Sequence, residues 1–105
     1  MKISFDVDGT YSEYQDEFDS LANMLQNSGH EVGFLTNRSP DEDVQEEFEL
    51  GFVPDFVIYL ATEPDATDDV RSMEKAEMMR SEGIDIHFDD KAEWFPDYVT
   101  VIKIE

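Results

Sequence analysis

Glu31-Val32-Gly33-Phe34-Leu35-Thr36, Ser39-Pro40-Asp41-Glu42 and Phe56-Val57-Ile58-Tyr59-Leu60 follow one another along the chain, and their order decides the fold class. The first reads as a strand ending in polar residues. The second starts a helix, with Ser39 as N-cap, Pro40 at the first helical position and Glu42 closing a capping box. Gly51 predicts where that helix stops. The third is a continuous apolar run, the pattern of a parallel strand buried on both faces. Together they predict one βαβ unit.

The same alternation extends in both directions. Ile3-Ser4-Phe5-Asp6-Val7 is a short β-branched and aromatic run carrying an acid toward its end. Phe18, Leu21, Ala22 and Leu25 recur at helical spacing, with Gly29 where a C-terminal cap belongs. Beyond Leu60, Thr62 to Asp69 reads as a polar loop. A helix follows to about Ser81, with either Thr67 or Ser72 as its N-cap and Gly83 as its stop. Ile84-Asp85-Ile86-His87-Phe88 predicts a fourth strand, ending in Asp89-Asp90. A helical turn over Ala92-Glu93-Trp94 then leads to a last strand from Tyr98 to Ile104. The expected fold is a single α/β domain over residues 1–105. It is a three-layer, doubly wound, Rossmann-like arrangement of five mainly parallel strands with helices on both faces.

Composition narrows the function classes. Forty per cent hydrophobic residues with 12% aromatics predict a packed globule despite the charge. No run approaches the ~18 apolar residues of a membrane span. The sequence enters a strand straight after Met1-Lys2, which predicts no signal peptide. Zero cysteines exclude disulfides, zinc–thiolate sites and thiol nucleophiles. The expectation is a soluble cytoplasmic protein without membrane contact. Twenty-seven acids against 7 bases give a net charge of −20, which repels duplex phosphates and argues against autonomous nucleic-acid binding. Most of these acids, including those over Asp41 to Glu49, read as a hydrated surface.

In an open α/β sheet, ligands bind beyond the carboxyl ends of the strands. Strand one delivers Asp6-Val7-Asp8-Gly9-Thr10 to that edge, strand two Thr36-Asn37-Arg38, and strand four Asp89-Asp90, while the helix before strand four carries Lys75. Clustered carboxylates call for a cation, and hard oxygen ligands suit Mg²⁺. A carboxylate facing a phosphate can attack phosphorus, and a second acid two residues on can move the proton. A Thr hydroxyl and a Lys ammonium supply fixed poles for the transferring group.

The order and spacing of these residues resemble the haloacid dehalogenase-like (HAD) superfamily. Asp6-Val7-Asp8-Gly9-Thr10 matches its first motif, Asp-x-Asp-x-Thr, in full. Val32-Gly33-Phe34-Leu35-Thr36 looks like the second, Lys75 like the third, and Asp89-Asp90 like the fourth. The resemblance spans essentially the whole chain and implies a HAD-like core without a cap domain. It implies a Mg²⁺-dependent phosphatase that cleaves a phosphate monoester through an aspartyl-phosphate on Asp6, with Asp8 as general acid/base. Thr36 and Lys75 would hold phosphoryl oxygens, and Mg²⁺ would sit on Asp6, the backbone carbonyl of Asp8 and Asp89, with Asp90 either direct or through water. Thr10, Asn37 and Arg38 are the substrate-contact candidates, although Arg38 reads equally well as a salt-bridge partner of nearby acids.

Family members carry a helical turn and a β-hairpin flap after strand one. Only Gly9 to Asp16 are available here, so the flap is expected to be vestigial or absent. An open site suits an extended or macromolecular phosphorylated substrate, a lid lent by a partner subunit or second copy, or low activity on many small esters. The alternative is a non-catalytic or partner-dependent relative that binds Mg²⁺ and a phospho-ligand. A receiver-type phospho-acceptor is disfavoured by motif order, because the Asp-x-Asp here comes first and the adjacent pair last. Arg71 is the fallback cation for Lys75. Tyr11 and Tyr14 are candidates to touch substrate, and Trp94 to line the site or pack on the sheet. His30 and His87 read as structural.

Overall fold

Five short strands carry the chain: β1 Lys2–Phe5, β2 Glu31–Thr36, β3 Val57–Tyr59, β4 Ile86–Asp89 and β5 Val101–Lys103. The structure, a computed structural model, describes residues 1–105. The strands lie in the order β3-β2-β1-β4-β5, and every pairing is parallel. From the central β1 the chain winds outward through β2 and β3, then returns to β4 and winds the other way through β5. The reversal lies between β1 and β4, where the carboxyl ends of neighbouring strands open a crevice. No helix is long and apolar enough to cross a membrane.

Strand side chains alternate between two faces, and the faces are packed differently. On one, Ile3, Phe5, Val32 and Phe34 meet Phe18 and Ala22 of α1 (Gln15–Asn27), together with Tyr11 and Phe52. This core is rich in tilted and edge-to-face rings, with Phe5 and Phe18 centroids 4.7 Å apart and Tyr11 and Phe34 4.9 Å apart. On the other face Leu35 packs on Ile84 and on Met79 of a second long helix, Asp68–Glu82. Helices thus cover both faces, as the alternating pattern predicts.

The expected helix from Pro40 to Gly51 does not form as one piece. Pro40–Glu42 make a single 3-10 turn, and α2 is confined to Val44–Glu47, so the long helix Asp68–Glu82 is α3. Ser39 makes no side-chain capping bond. Asp43 breaks the segment by taking extended backbone and capping α2, its Oδ1 accepting from the Gln45 N–H at 2.9 Å. The Tyr59 hydroxyl donates to the same oxygen at 2.8 Å and fixes the break. Six of the nine residues 41–49 are acids, and Val44 alone is buried in α2. Like charges without an apolar stripe cannot hold a longer helix.

The strand over Phe56–Leu60 is shorter than expected and half-buried, because β3 is an edge strand rather than a central one. Its entry crowds β2: a Cβ at Gly33 would stand 2.1 Å from the Phe56 carbonyl oxygen, so only glycine fits there. The last strand is likewise three residues rather than seven. At α3 the choice of N-cap falls to Thr67; Ser72 lies buried inside the helix, and Gly83 ends it in the left-handed conformation at φ 68°.

Candidate functional site

Between β1 and α1 the chain makes one wide helical turn, Val7–Tyr11, closed by the Tyr11 N–H donating to the Asp6 carbonyl at 3.2 Å and Ser12 N–H to Val7 at 3.0 Å. Each bond spans five residues, so the turn is broader than an α-turn. Its apolar ends, Val7 and Tyr11, are buried in the aromatic core. That anchorage holds Asp6 at the sheet edge and turns Asp8 outward. Gly9 sits at φ 82°, and a Cβ there would lie 2.5 Å from Asp90 Oδ2. Glycine therefore lets the turn close against the end of β4. No hairpin follows this turn, because α1 begins at Gln15.

Asp6, Asp8, Thr36, Asn37, Arg38, Lys75, Asp89 and Asp90 all line a single cleft of about 590 Å³ at the carboxyl edge. Four of the chain's seven basic residues (Arg38, Arg71, Lys75 and Lys91) face this one cleft, and no aromatic side chain does. The left-handed Ala61, at φ 50°, lies on its rim, a sparsely populated conformation for a residue with a Cβ.

Lys75 is the hub. It comes from the second turn of α3 and is buried, with Nζ donating to Asp6 Oδ1 at 2.8 Å and Asp89 Oδ2 at 2.7 Å. Burial would pull this ammonium down; the two carboxylates outweigh it and hold the pKa above the usual lysine range. One cation cannot balance two buried anions. Burial pushes Asp6 up to about 7, against the pull of Lys75 and helped by the charge of Asp89. Asp89 goes the other way: despite its own burial, the His87 hydrogen bond and Lys75 hold it well below the carboxylate range. One oxygen from each of Asp6, Asp89 and Asp90 lies within 4.8 Å of the others. Three hard carboxylate donors around a site short of positive charge fit a divalent cation.

Arg38 reaches across from the end of β2 and grips Asp8 with both ends of its fork, then holds Glu47 of α2 through Nη2 at 2.8 Å. Of its two readings, the salt bridge is the one formed. The hydrogen bonds from Arg38 hold Asp8 below the usual range. The Thr36 hydroxyl oxygen accepts from the Arg38 backbone N–H at 3.1 Å, leaving its proton free to donate into the cleft. Asn37 ties β2 to the loop before α3 and to α3 itself, donating to Thr62 Oγ1 at 2.8 Å and to the Arg71 carbonyl at 3.2 Å.

Other candidates lie elsewhere. Thr10 is fully buried behind the carboxylates, where its Oγ1 accepts from the Asp90 backbone N–H at 3.0 Å; it orders the acid pair instead of lining the cleft. Tyr11 is a core residue whose hydroxyl donates to Asp19 at 2.7 Å. Tyr14 lines a separate groove with Phe18, Phe88 and Ile104, away from the cleft. Trp94 is half-exposed and outside it. Arg71 spends its guanidinium on the carbonyls of Glu63, Pro64 and Ala66, so it shapes the loop while Lys75 reaches the carboxylates. Sequence reading took His87 as structural and passed over Ser4; the two lie beneath the site and join it through Asp89. The available signal was polarity: both stand at inward positions of otherwise apolar strands. The chain matches no protein-family model, no curated protein and no solved structure.

Proposed function

We propose that the chain is a Mg²⁺-dependent phosphohydrolase of the HAD type that cleaves phosphate monoesters through an aspartyl-phosphate on Asp6. The observation that carries this reading is the buried Asp6–Lys75–Asp89 arrangement with Asp90 beside it. It brings a nucleophile, a fixed cation and a set of hard oxygen ligands to one point. Asp6, Asp89 and Asp90 would hold Mg²⁺, which supplies positive charge to the phosphoryl oxygens when bound.

Asp6 Oδ1 is held by Lys75, whereas Oδ2 has only a 3.5 Å contact from the Thr10 hydroxyl. Lys75 fixes the carboxylate's orientation. An Asp6 oxygen forms a bond to phosphorus as the ester P–O bond breaks, and Asp8 gives its proton to the departing oxygen. Water then attacks the phosphorus, Asp8 takes the proton back, and the bond between phosphorus and Asp6 breaks to release phosphate. Thr36 and Lys75 stabilise the equatorial oxygens throughout. The cleft has no lid of its own, which suits an extended phosphorylated substrate or a covering partner.

An aryl phosphate assayed with Mg²⁺ tests the reading. The parent turns over, Asp6→Asn does not, and Asp8→Asn loses roughly 10²–10⁴-fold. Turnover that survives Asp6→Asn removes Asp6 as nucleophile. A second reading, a protein that binds Mg²⁺ and a phospho-ligand without turnover, is favoured by the Arg38 grip on Asp8, which withholds the acid/base. Mg²⁺-dependent ligand binding with no hydrolysis in the parent would select it.

A further inference from the structure

The floor of the site is polar where the rest of the sheet interior is apolar. Ser4 and His87 stand opposite one another in the β1–β4 register, both fully buried. His87 Nδ1 lies 2.7 Å from Ser4 Oγ and Nε2 lies 2.9 Å from Asp89 Oδ2. Asp89 Oδ2 already accepts from the Lys75 ammonium, so Nε2 carries a proton and donates to that oxygen, and the Ser4 hydroxyl is the donor available to Nδ1.

Resting on the phosphohydrolase reading, we propose that Ser4 and His87 are positioning residues that lock Asp89 as a one-oxygen ligand for the cation. A carboxylate has about four acceptor directions, two on each oxygen. Asp89 Oδ2 spends both, on Lys75 Nζ at 2.7 Å and His87 Nε2 at 2.9 Å. Oδ1 spends one on the Lys91 backbone N–H at 2.9 Å. A single acceptor direction, on Oδ1, is left for a cation. His87 thus keeps Asp89 from turning and from offering both oxygens, while Ser4 fixes the tautomer that lets His87 donate. No buried side-chain polar atom lacks a partner, so the chain from Ser4 to Asp6 is closed and its geometry is set before any cation arrives. Outer partners of this kind are worth about 10–100-fold in metal affinity.

The test is calorimetric titration of Mg²⁺ alone into the parent, His87→Leu, His87→Gln and Ser4→Ala, with far-UV circular dichroism as the fold control. His87→Leu is expected to weaken Mg²⁺ binding about 10–100-fold, and His87→Gln, whose amide can still donate to Asp89, to recover most of the loss. Ser4→Ala should fall between them. If His87→Leu does not fold, the comparison of His87→Gln and Ser4→Ala with the parent decides: parent-like binding for Gln with weakened binding for Ala supports the role. Folded variants that all bind Mg²⁺ like the parent overturn the positioning role and leave the phosphohydrolase reading standing. A parent that takes up no Mg²⁺ overturns both.

Discussion

Arg38 closes on Asp8 through two parallel hydrogen bonds, Nε to Oδ2 at 2.9 Å and Nη2 to Oδ1 at 2.7 Å. A carboxylate gripped in this way stays ionised, and an ionised Asp8 cannot protonate a leaving group. On the proposed reading, a phosphate oxygen entering the cleft would compete for the same fork. Substrate arrival would then release Asp8 and let its carboxyl take up a proton more readily.

Arg38→Gln removes the grip. The Asp8 carboxyl should move up toward the ordinary carboxylate value, since the Arg38 hydrogen bonds are the main cause of its lowering. The alkaline limb of the pH profile of kcat/KM, set by loss of the proton Asp8 must deliver, should follow it upward. KM should rise about tenfold, the equivalent of roughly 1.4 kcal/mol of lost phosphate contact. Steady-state kinetics across pH 4–8 read both. An unmoved limb with unchanged KM would separate Arg38 from the reaction.

Asp6 makes the metal-free protein sensitive to pH in a defined window. Its pKa rises from 3.8 to about 7 on folding, so between those values the native state keeps a proton that the unfolded chain has released. Stability from this group is therefore greatest below pH 4, falls as pH rises toward 7, and is level above. The lowered pKa values of Asp8 and Asp89 act below pH 4 and the raised one of Lys75 acts above 10, outside the window. His87, which burial lowers from 6.5, acts inside it with the opposite sign, so the Asp6 contribution is read as the difference between two proteins. In urea unfolding with chelator, stability should fall more steeply from pH 4 to 7 in the parent than in Asp6→Asn, by a difference on the order of a few kcal/mol. Equal slopes in the two proteins would count against a burial-raised Asp6.

The net charge of −20 sits in a molecule whose longest extent is 34 Å. At about 10 mM salt the screening length is ~30 Å and the acids repel across the whole molecule; at about 1 M it is ~3 Å. Thermal midpoints should climb over that range. The kcat/KM for an anionic ester should climb too, because enzyme and substrate repel. A midpoint that falls with KCl would contradict this.

Gly9→Ala should cost about 1–3 kcal/mol in chemical denaturation, from left-handed backbone and the close approach of Asp90. It should also weaken Mg²⁺ binding, since Asp90 must shift. Unchanged metal affinity would leave Asp90 without a ligand role.

Local patterns were sufficient where local forces decide. The bounds of β2, Glu31–Thr36, are those its composition predicts, and the strand-end rule collects Asp6, Thr36, Lys75, Asp89 and Asp90 at one cleft. The segment after Ser39 misled because its helix-starting signals were real, yet Tyr59, sixteen residues from Asp43, stabilises the break. Thr10 and Tyr11 sit in a turn whose width no local pattern announced, so their inward direction could not be read. Ser4 and His87 are 83 positions apart, and only the β1–β4 register makes them partners.

The wide turn Val7–Tyr11 has a consequence for how this chain can diverge. Within five residues it plugs the core at both ends, admits Asp90 at Gly9, braces it at Thr10 and presents Asp8 to Arg38. Drift there would cost folding and chemistry together. Asp8 is the one residue of the turn whose side chain bears on neither core nor sheet. On the proposed phosphohydrolase reading, a descendant that kept the scaffold and lost hydrolysis would be expected to carry its first change at that position.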